Sequence, residues 1–379
     1  MMREMTEISG NNMAFLQSGE RTPREMVEFL KEGALFRSFD HVLKKVYPGE
    51  DLAQRLAKGL EEVTGEDGSS ISRKVRNWMK GQNLPKNRET LFQICFVLNL
   101  NEEETNRVLG TASEMGIHYR NPGELAYAFC LRTGRPYGEA VELRKKALKL
   151  YDIYKENKPE AVVYTRQVWD AFSQVNTEEE LEEFFKEHAG ELGELHETAY
   201  KKFIELLDRL QNPEGVNGEG ERKYTMEEVV KEYIRMKVPQ TKKSADFSLL
   251  QRLVKKYWPN ESNLLNMRNR KEDVSRKVMI LLYLITEAFD EWEEDEDGDD
   301  SYYLDDFDEE DDADTRLECR FEKMKVFLNA YGMNQLDPGN PFDFLVLYAM
   351  KTQEGDFVSD RLEAVLDVLF EDKDGGKKL

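Results

Sequence analysis

Four short stretches of this chain spell the start of a helix in the same way. At Thr22 with Glu25, Asn101 with Glu104, Thr177 with Glu180 and Thr225 with Glu228, a capping residue is followed three positions later by Glu. In that arrangement cap and Glu each satisfy a backbone N–H that the first helical turn leaves bare. Pro23 adds the residue best suited to a first helical position. Elsewhere apolar residues recur at intervals of three and four, as in Leu91, Ile94, Cys95 and Leu98, and alternating strand-like windows are nearly absent. The expectation is an all-α chain: an N-terminal helix-turn-helix module followed by helical domains.

At 379 residues the chain is long enough for two or three cores. Composition divides it into a flexible tail (1–20), a first domain (21–118), a helical domain (119–210), a Pro/Gly/Asn-rich linker (211–223), a helical segment with a second basic patch (224–289), an acidic linker (290–315) and a C-terminal helical segment (316–379). The net charge is −22, but residues 290–314 hold seventeen acidic residues and no base, so removing them leaves −5. The acidity is local and does not exclude nucleic acid as a partner. The longest apolar run, 278–285, is too short to cross a bilayer, and no signal peptide opens the chain. No membrane partner and a cytoplasmic location follow as expectations.

Against this acidic background, residues 71–88, "ISRKVRNWMKGQNLPKNR", contain six Lys or Arg and no acid. Ile71, Val75, Trp78 and Met79 share one helix face, and Arg73, Lys74, Arg76, Asn77 and Lys80 occupy the rest. Gly81 stops the helix, "QNLP" turns the chain, and "KNRETLFQICFVLNL" begins another apolar-faced helix. Upstream, "EDLAQRLAKGLEEVTGEDGS" is an amphipathic helix running into a Gly-rich turn.

The series Val75-Arg76-Asn77-Trp78-Met79-Lys80-Gly81, then Pro85 and Leu91, resembles the recognition-helix end of phage-repressor-like (xenobiotic-response-element type) helix-turn-helix domains. Leu52-Ala53 or Leu56-Ala57 resembles the start of their second helix. That pair lies farther upstream than in the compact family pattern, which implies a longer second helix or an inserted "GEDGSS" loop. The resemblance implies transcriptional regulation by a dimer that sets the basic helix in the DNA major groove. Arg and Asn suit base edges, while Lys, Ser and backbone N–H groups suit phosphates. By position Ser70, Ser72, Arg73, Lys74, Arg76 and Asn77 would meet bases or nearby phosphates, and Lys80, Gln82, Asn83, Lys86 and Arg88 would meet phosphates. Trp78, Met79, Leu91 and Leu98 would be core. A cationic face of this kind is also compatible with a solvated surface, or with packing against 290–314.

Residues 249–285 carry a second patch, Arg268, Arg270, Lys271, Arg276 and Lys277, and the tetrapeptide "SRKV" occurs at both 72 and 275. Their layout of apolar helix, basic turn and buried helix matches 76–98, so a degenerate second helix-turn-helix and an ordinary hairpin both fit. Residues 125–151 resemble a tetratricopeptide-type hairpin with Gly134 at its turn, which implies a peptide or protein effector. Glu293, Asp295, Asp297 and Gly298 imitate part of a calcium loop, but Leu304 stands where its bidentate acid belongs. His188 and His196, eight apart, are the only histidines with any ligand-like spacing. Cys95, Cys130 and Cys319 are too scattered for a zinc clip. No phosphate loop, nucleophile elbow or zinc-protease signature is present. The expectation is no cofactor, no metal and no catalysis, with duplex DNA as partner and a homodimer; the rival is a protein-interaction scaffold or peptide-responsive sensor.

Overall fold

The computed structural model describes residues 7–36, 38–81, 83–85, 87–113, 115–157, 163, 165–193, 195–212, 224–240, 247–286, 312–353 and 355–371. Among these residues the protein is all-α, with nineteen α-helices and no strand. The chain opens with α1 (Glu7–Gln17) and α2 (Pro23–Glu32). Next come α3 (Phe39–Val46), α4 (Leu52–Thr64), α5 (Gly68–Met79), α6 (Arg88–Val97) and α7 (Glu102–Ser113). Helices α8 (Pro122–Arg132) and α9 (Tyr137–Tyr154) form a hairpin that turns at Gly134, whose φ of 69° is left-handed. Then follow α10 (Thr165–Ser173), α11 (Glu178–His188) and α12 (Glu197–Gln211). The last set is α13 (Met226–Val229, continued by a π-turn over Val230–Ile234), α14 (Leu249–Lys255), α15 (Glu261–Arg268), α16 (Arg276–Ile285), α17 (Ala313–Ala330), α18 (Pro341–Met350) and α19 (Val358–Glu371). All four Glu-closed caps expected from sequence form, at α2, α7, α11 and α13.

The chain folds into two compact units. The central unit is 37–198 with 328–334; the flanking unit gathers 1–36, 199–327 and 335–379. These units cut across the expected boundaries, and the reason is side-chain chemistry between segments that sequence treats separately. In the central unit, Arg88 at the start of α6 is bound through two parallel bonds of 2.6 Å to Glu124 at the start of α8. Arg132 at the end of α8 reaches Glu102 of α7 at 2.7 Å and the carbonyls of Phe172 and Val175 at 2.9 Å. The supposed boundary near 118 therefore lies inside one core, where Leu56, Val75, Leu91, Leu109, Leu125 and Phe129 are all buried. α8 is buried on nearly every side, and α9 packs along it.

Helix α2, expected in the first domain, belongs to the flanking unit and packs on α19. The flexible tail expected at 1–20 is corrected as well, because residues 7–17 are helical. Met13 and Leu16 are buried, Asn12 donates to the carbonyls of Leu35 and Pro338 at 2.9 and 2.8 Å, and Lys351 donates to Leu16 O at 2.9 Å. Two of these partners, Pro338 and Lys351, lie more than 300 residues away, so no local pattern announces the segment's order. The ends of the expected 211–223 linker are bonded to each other, Tyr224 N–H donating to Gln211 O at 2.8 Å. The rest of that expected linker, 213–223, lies outside the described residues. The acidic run from 290 to 311, with its calcium-loop imitation, lies outside the described residues.

Candidate nucleic-acid interface

Gly65 ends α4 with a left-handed φ of 67°, and three residues later α5 has begun. Of the two readings of the wide Leu-Ala spacing, the longer helix holds: α4 has thirteen residues and Gly68–Ser70 form the first turn of α5, not an inserted loop. Asp67 caps α5, accepting from Ser70 N–H at 3.0 Å and from the Ser69 hydroxyl. Those two bonds hold its carboxyl below the usual carboxylate range, so a fixed negative charge sits at this helix start.

Ile71, Val75 and Trp78 bury one stripe of α5 against α3 and α4, with Trp78 only 5% exposed. Met79 is half-buried beside them, and Leu91 and Leu98 are core as expected. On the outward faces Ser72, Arg73, Lys74, Arg76 and Lys80 are exposed, Asn83 is exposed in the following turn, and Ser70 and Asn77 are half-buried. Lys74 is paired with Glu66 at 2.5 Å, a half-exposed contact whose contribution to stability is about 0–1 kcal/mol. Arg73, Arg76 and Lys80 have no carboxylate partner among the described residues. Sequence did not single out α3, which packs on α5 and carries Lys44 and Lys45 in its last turn. Lys44 is tied to Asp40 at 2.9 Å and Lys45 is exposed.

Arg88 must be removed from the phosphate-facing set. Besides Glu124 its guanidinium binds the Gly116 carbonyl at 2.7 Å, so its charge is compensated and its planar fork is spent on the fold. Gln82 and Lys86 lie outside the described residues. The second patch also divides. Arg276 and Lys277 are buried: Arg276 is held by Asp343 at 2.8 and 2.9 Å, and Lys277 donates to the carbonyls of Val254 and Lys256, with its ammonium 4.4 Å from the Phe342 ring centroid. They are withdrawn as surface residues. Arg268, Arg270 and Lys271 are exposed; Arg268 donates to Gln211 Oε1 at 3.0 Å and Arg270 lies over Tyr200 at 4.4 Å.

The two histidines with ligand-like spacing do not meet. His188 pairs with Glu191 at 3.0 Å, and His196 shares a 2.8 Å hydrogen bond with His118. Burial, then the neighbouring His196, Arg88 and Arg120, push the pKa of His118 well below that of a free imidazole. Among the described residues, no helix is long and apolar enough to cross a membrane. Comparison of the chain with protein-family models, with curated proteins and with solved structures finds no match.

Proposed function

We propose that this protein docks on duplex DNA through the outward face of α5, as a transcriptional regulator of the helix-turn-helix kind acting as a homodimer. The observation that carries the reading is that Arg73, Arg76 and Lys80 have no carboxylate partner among the described residues, beside a buried stripe of Ile71, Val75 and Trp78 on the same helix. In a chain of net charge −22, three exposed arginine or lysine heads along α5 and its C-cap, with no carboxylate partner among the described residues, are what phosphate oxygens and guanine edges require. Ser72 and Asn77 on the same helix add hydrogen-bonding groups. Asp67 at the helix start keeps phosphate away from that end, which favours contacts along the middle and C-terminal turns of α5.

Fluorescence polarisation of labelled random duplex, titrated with the full chain over a salt series, tests this. The log affinity should fall linearly with log salt, with a slope of roughly −0.9 per phosphate contact, and Arg76→Ala should weaken binding and make the slope shallower by about one contact. Binding without salt dependence, or an unchanged Arg76→Ala variant, would overturn the reading in favour of an interaction scaffold.

A further inference from the structure

The two units, described each by itself, repeat one hydrogen-bond pattern in one order. In the central unit the N–H of Lys80 closes α5 on the Arg76 carbonyl, and Gly81, at φ 65°, donates its N–H to the Trp78 carbonyl. In the flanking unit the N–H of Asn269 closes α15 on the Leu265 carbonyl, and Arg270, at φ 56°, donates its N–H to the Met267 carbonyl. Asn87 caps α6 by accepting from Thr90 N–H; Ser275 caps α16 by accepting from Val278 N–H. The N–H of Leu98 closes α6 on the Ile94 carbonyl, as that of Thr286 closes α16 on the Leu282 carbonyl, both at 3.0 Å. Asn101 caps α7 through Glu104 N–H at 2.9 Å, and Asp312 caps α17 through Thr315 N–H at 2.8 Å.

The strongest correspondence is the tie to the buried helix. Arg88, first residue of α6, grips Glu124, third residue of α8; Arg276, first residue of α16, grips Asp343, third residue of α18. Both buried helices begin Asn-Pro, at Asn121-Pro122 and Asn340-Pro341, and in both the Asn side chain accepts two N–H groups. Six residues before each carboxylate, the N–H of His118 or Asp337 donates to it, at 2.8 and 2.9 Å. Each arginine also binds a carbonyl of the preceding loop, Gly116 or Gln335. An amphipathic partner, α9 or α19, packs against the buried helix in each case.

We infer that the chain holds two copies of one module, α3–α9 and α13–α19, and that only the first copy is equipped to contact DNA, so that each chain engages one stretch of duplex. The functional half of this rests on the reading of α5 given above. With Trp78 set against Met267 and Val75 against Leu264, both pairs buried, the outward positions Arg73, Lys74 and Arg76 correspond to Ser262, Asn263 and Leu265. All three cations are gone, and Leu265 is 36% exposed in the place of Arg76. Arg268, Arg270 and Lys271 fall at the far end of α15, opposite Met79, Gly81 and Gln82, with Glu272 beside them. The acidic run occupies the connection between α16 and α17 that the first copy makes with a few residues after α6. The repeated "SRKV" is a coincidence of letters: 275–278 corresponds to 87–90, not to 72–75. A site with two half-sites would need two chains, although each chain holds two modules.

The test uses the full chain and random duplex over a salt series. Replacing Arg73, Lys74 and Arg76 together by Ala should remove most binding and make the salt slope shallower by about three contacts. Ala at Arg268, Arg270 and Lys271 should change neither. Grafting Ser262→Arg, Asn263→Lys and Leu265→Arg onto the variant lacking the α5 cations should restore salt-dependent binding. A loss of slope from the Arg268, Arg270 and Lys271 substitutions, or a graft that stays inactive with an unchanged melting curve, overturns the assignment of one contacting copy. If the unaltered chain fails to bind duplex, the α5 reading falls, and the duplication is judged by hydrogen exchange alone. Arg88→Lys should speed exchange at His118 and Glu124, and Arg276→Lys at Asp337 and Asp343, each by about tenfold or more through loss of the bidentate grip. If either substitution leaves its matched amides unchanged, the two-copy assignment is overturned.

Discussion

Replacing Arg276 by Met would leave the Asp343 carboxylate in a site where both partners are almost sealed from water, their side chains 5% and 3% exposed. Two parallel bonds of 2.8 and 2.9 Å would be lost, and the one from the Asp337 N–H, at 2.9 Å, would remain. Removing one partner of a buried pair costs about 3–5 kcal/mol, because the survivor keeps its desolvation penalty without its counter-charge. The equivalent Arg88→Met should cost less, since Arg88 and Glu124 are 33% and 14% exposed and solvent screens the remaining charge. Asp343→Leu added to Arg276→Met should recover most of the loss, because an apolar pair carries no such penalty. With two units present, a single unfolding transition is not assured. The measurement is therefore amide exchange within α18 alongside denaturant unfolding. A cost under about 1 kcal/mol for Arg276→Met, or no recovery in the double variant, would refute the view that this pair seats α18.

Three further outcomes are expected. His118 has a folded-state pKa below its unfolded value, so below about pH 6.5 the unfolded chain binds more protons; the central unit should lose stability as pH falls, by up to about 1.4 kcal/mol per pH unit, and His118→Gln should flatten this component in unfolding curves between about pH 7 and 5. A Cβ on Gly59 of α4 would lie 2.4 Å from Val97 Cγ1 of α6; Gly59→Ala should cost about 1–3 kcal/mol in denaturant unfolding, with Val97→Ala recovering most of it. Burial pushes the Cys95 and Cys130 thiols up to about 12, so at about pH 8 neither should be alkylated by iodoacetamide before the chain unfolds, as mass spectrometry of trapped peptides would show.

Sequence by itself determined where the capped helices begin and which face of α5 is apolar, because capping and three-or-four spacing act within a few residues, whereas α1 was not legible. The cap at Thr22, the buried stripe of Ile71, Val75 and Trp78, and the carboxylate-free interval around Arg76 were all legible for that reason. What a cation does in the fold depends on what lies opposite. Arg76 and Arg88 belong to one basic run, yet among the described residues only Arg88 of the two faces a carboxylate, supplied by Glu124 thirty-six residues on. Arg276 and Lys277 read as surface charge for the same reason, since Asp343 and the carbonyls that hold them are distant in the chain. The duplication lay deeper still. Its two copies keep the positions of caps, left-handed turns and ion pairs while changing nearly every letter, and hydrogen bonds between remote segments exist only once the chain has closed on itself.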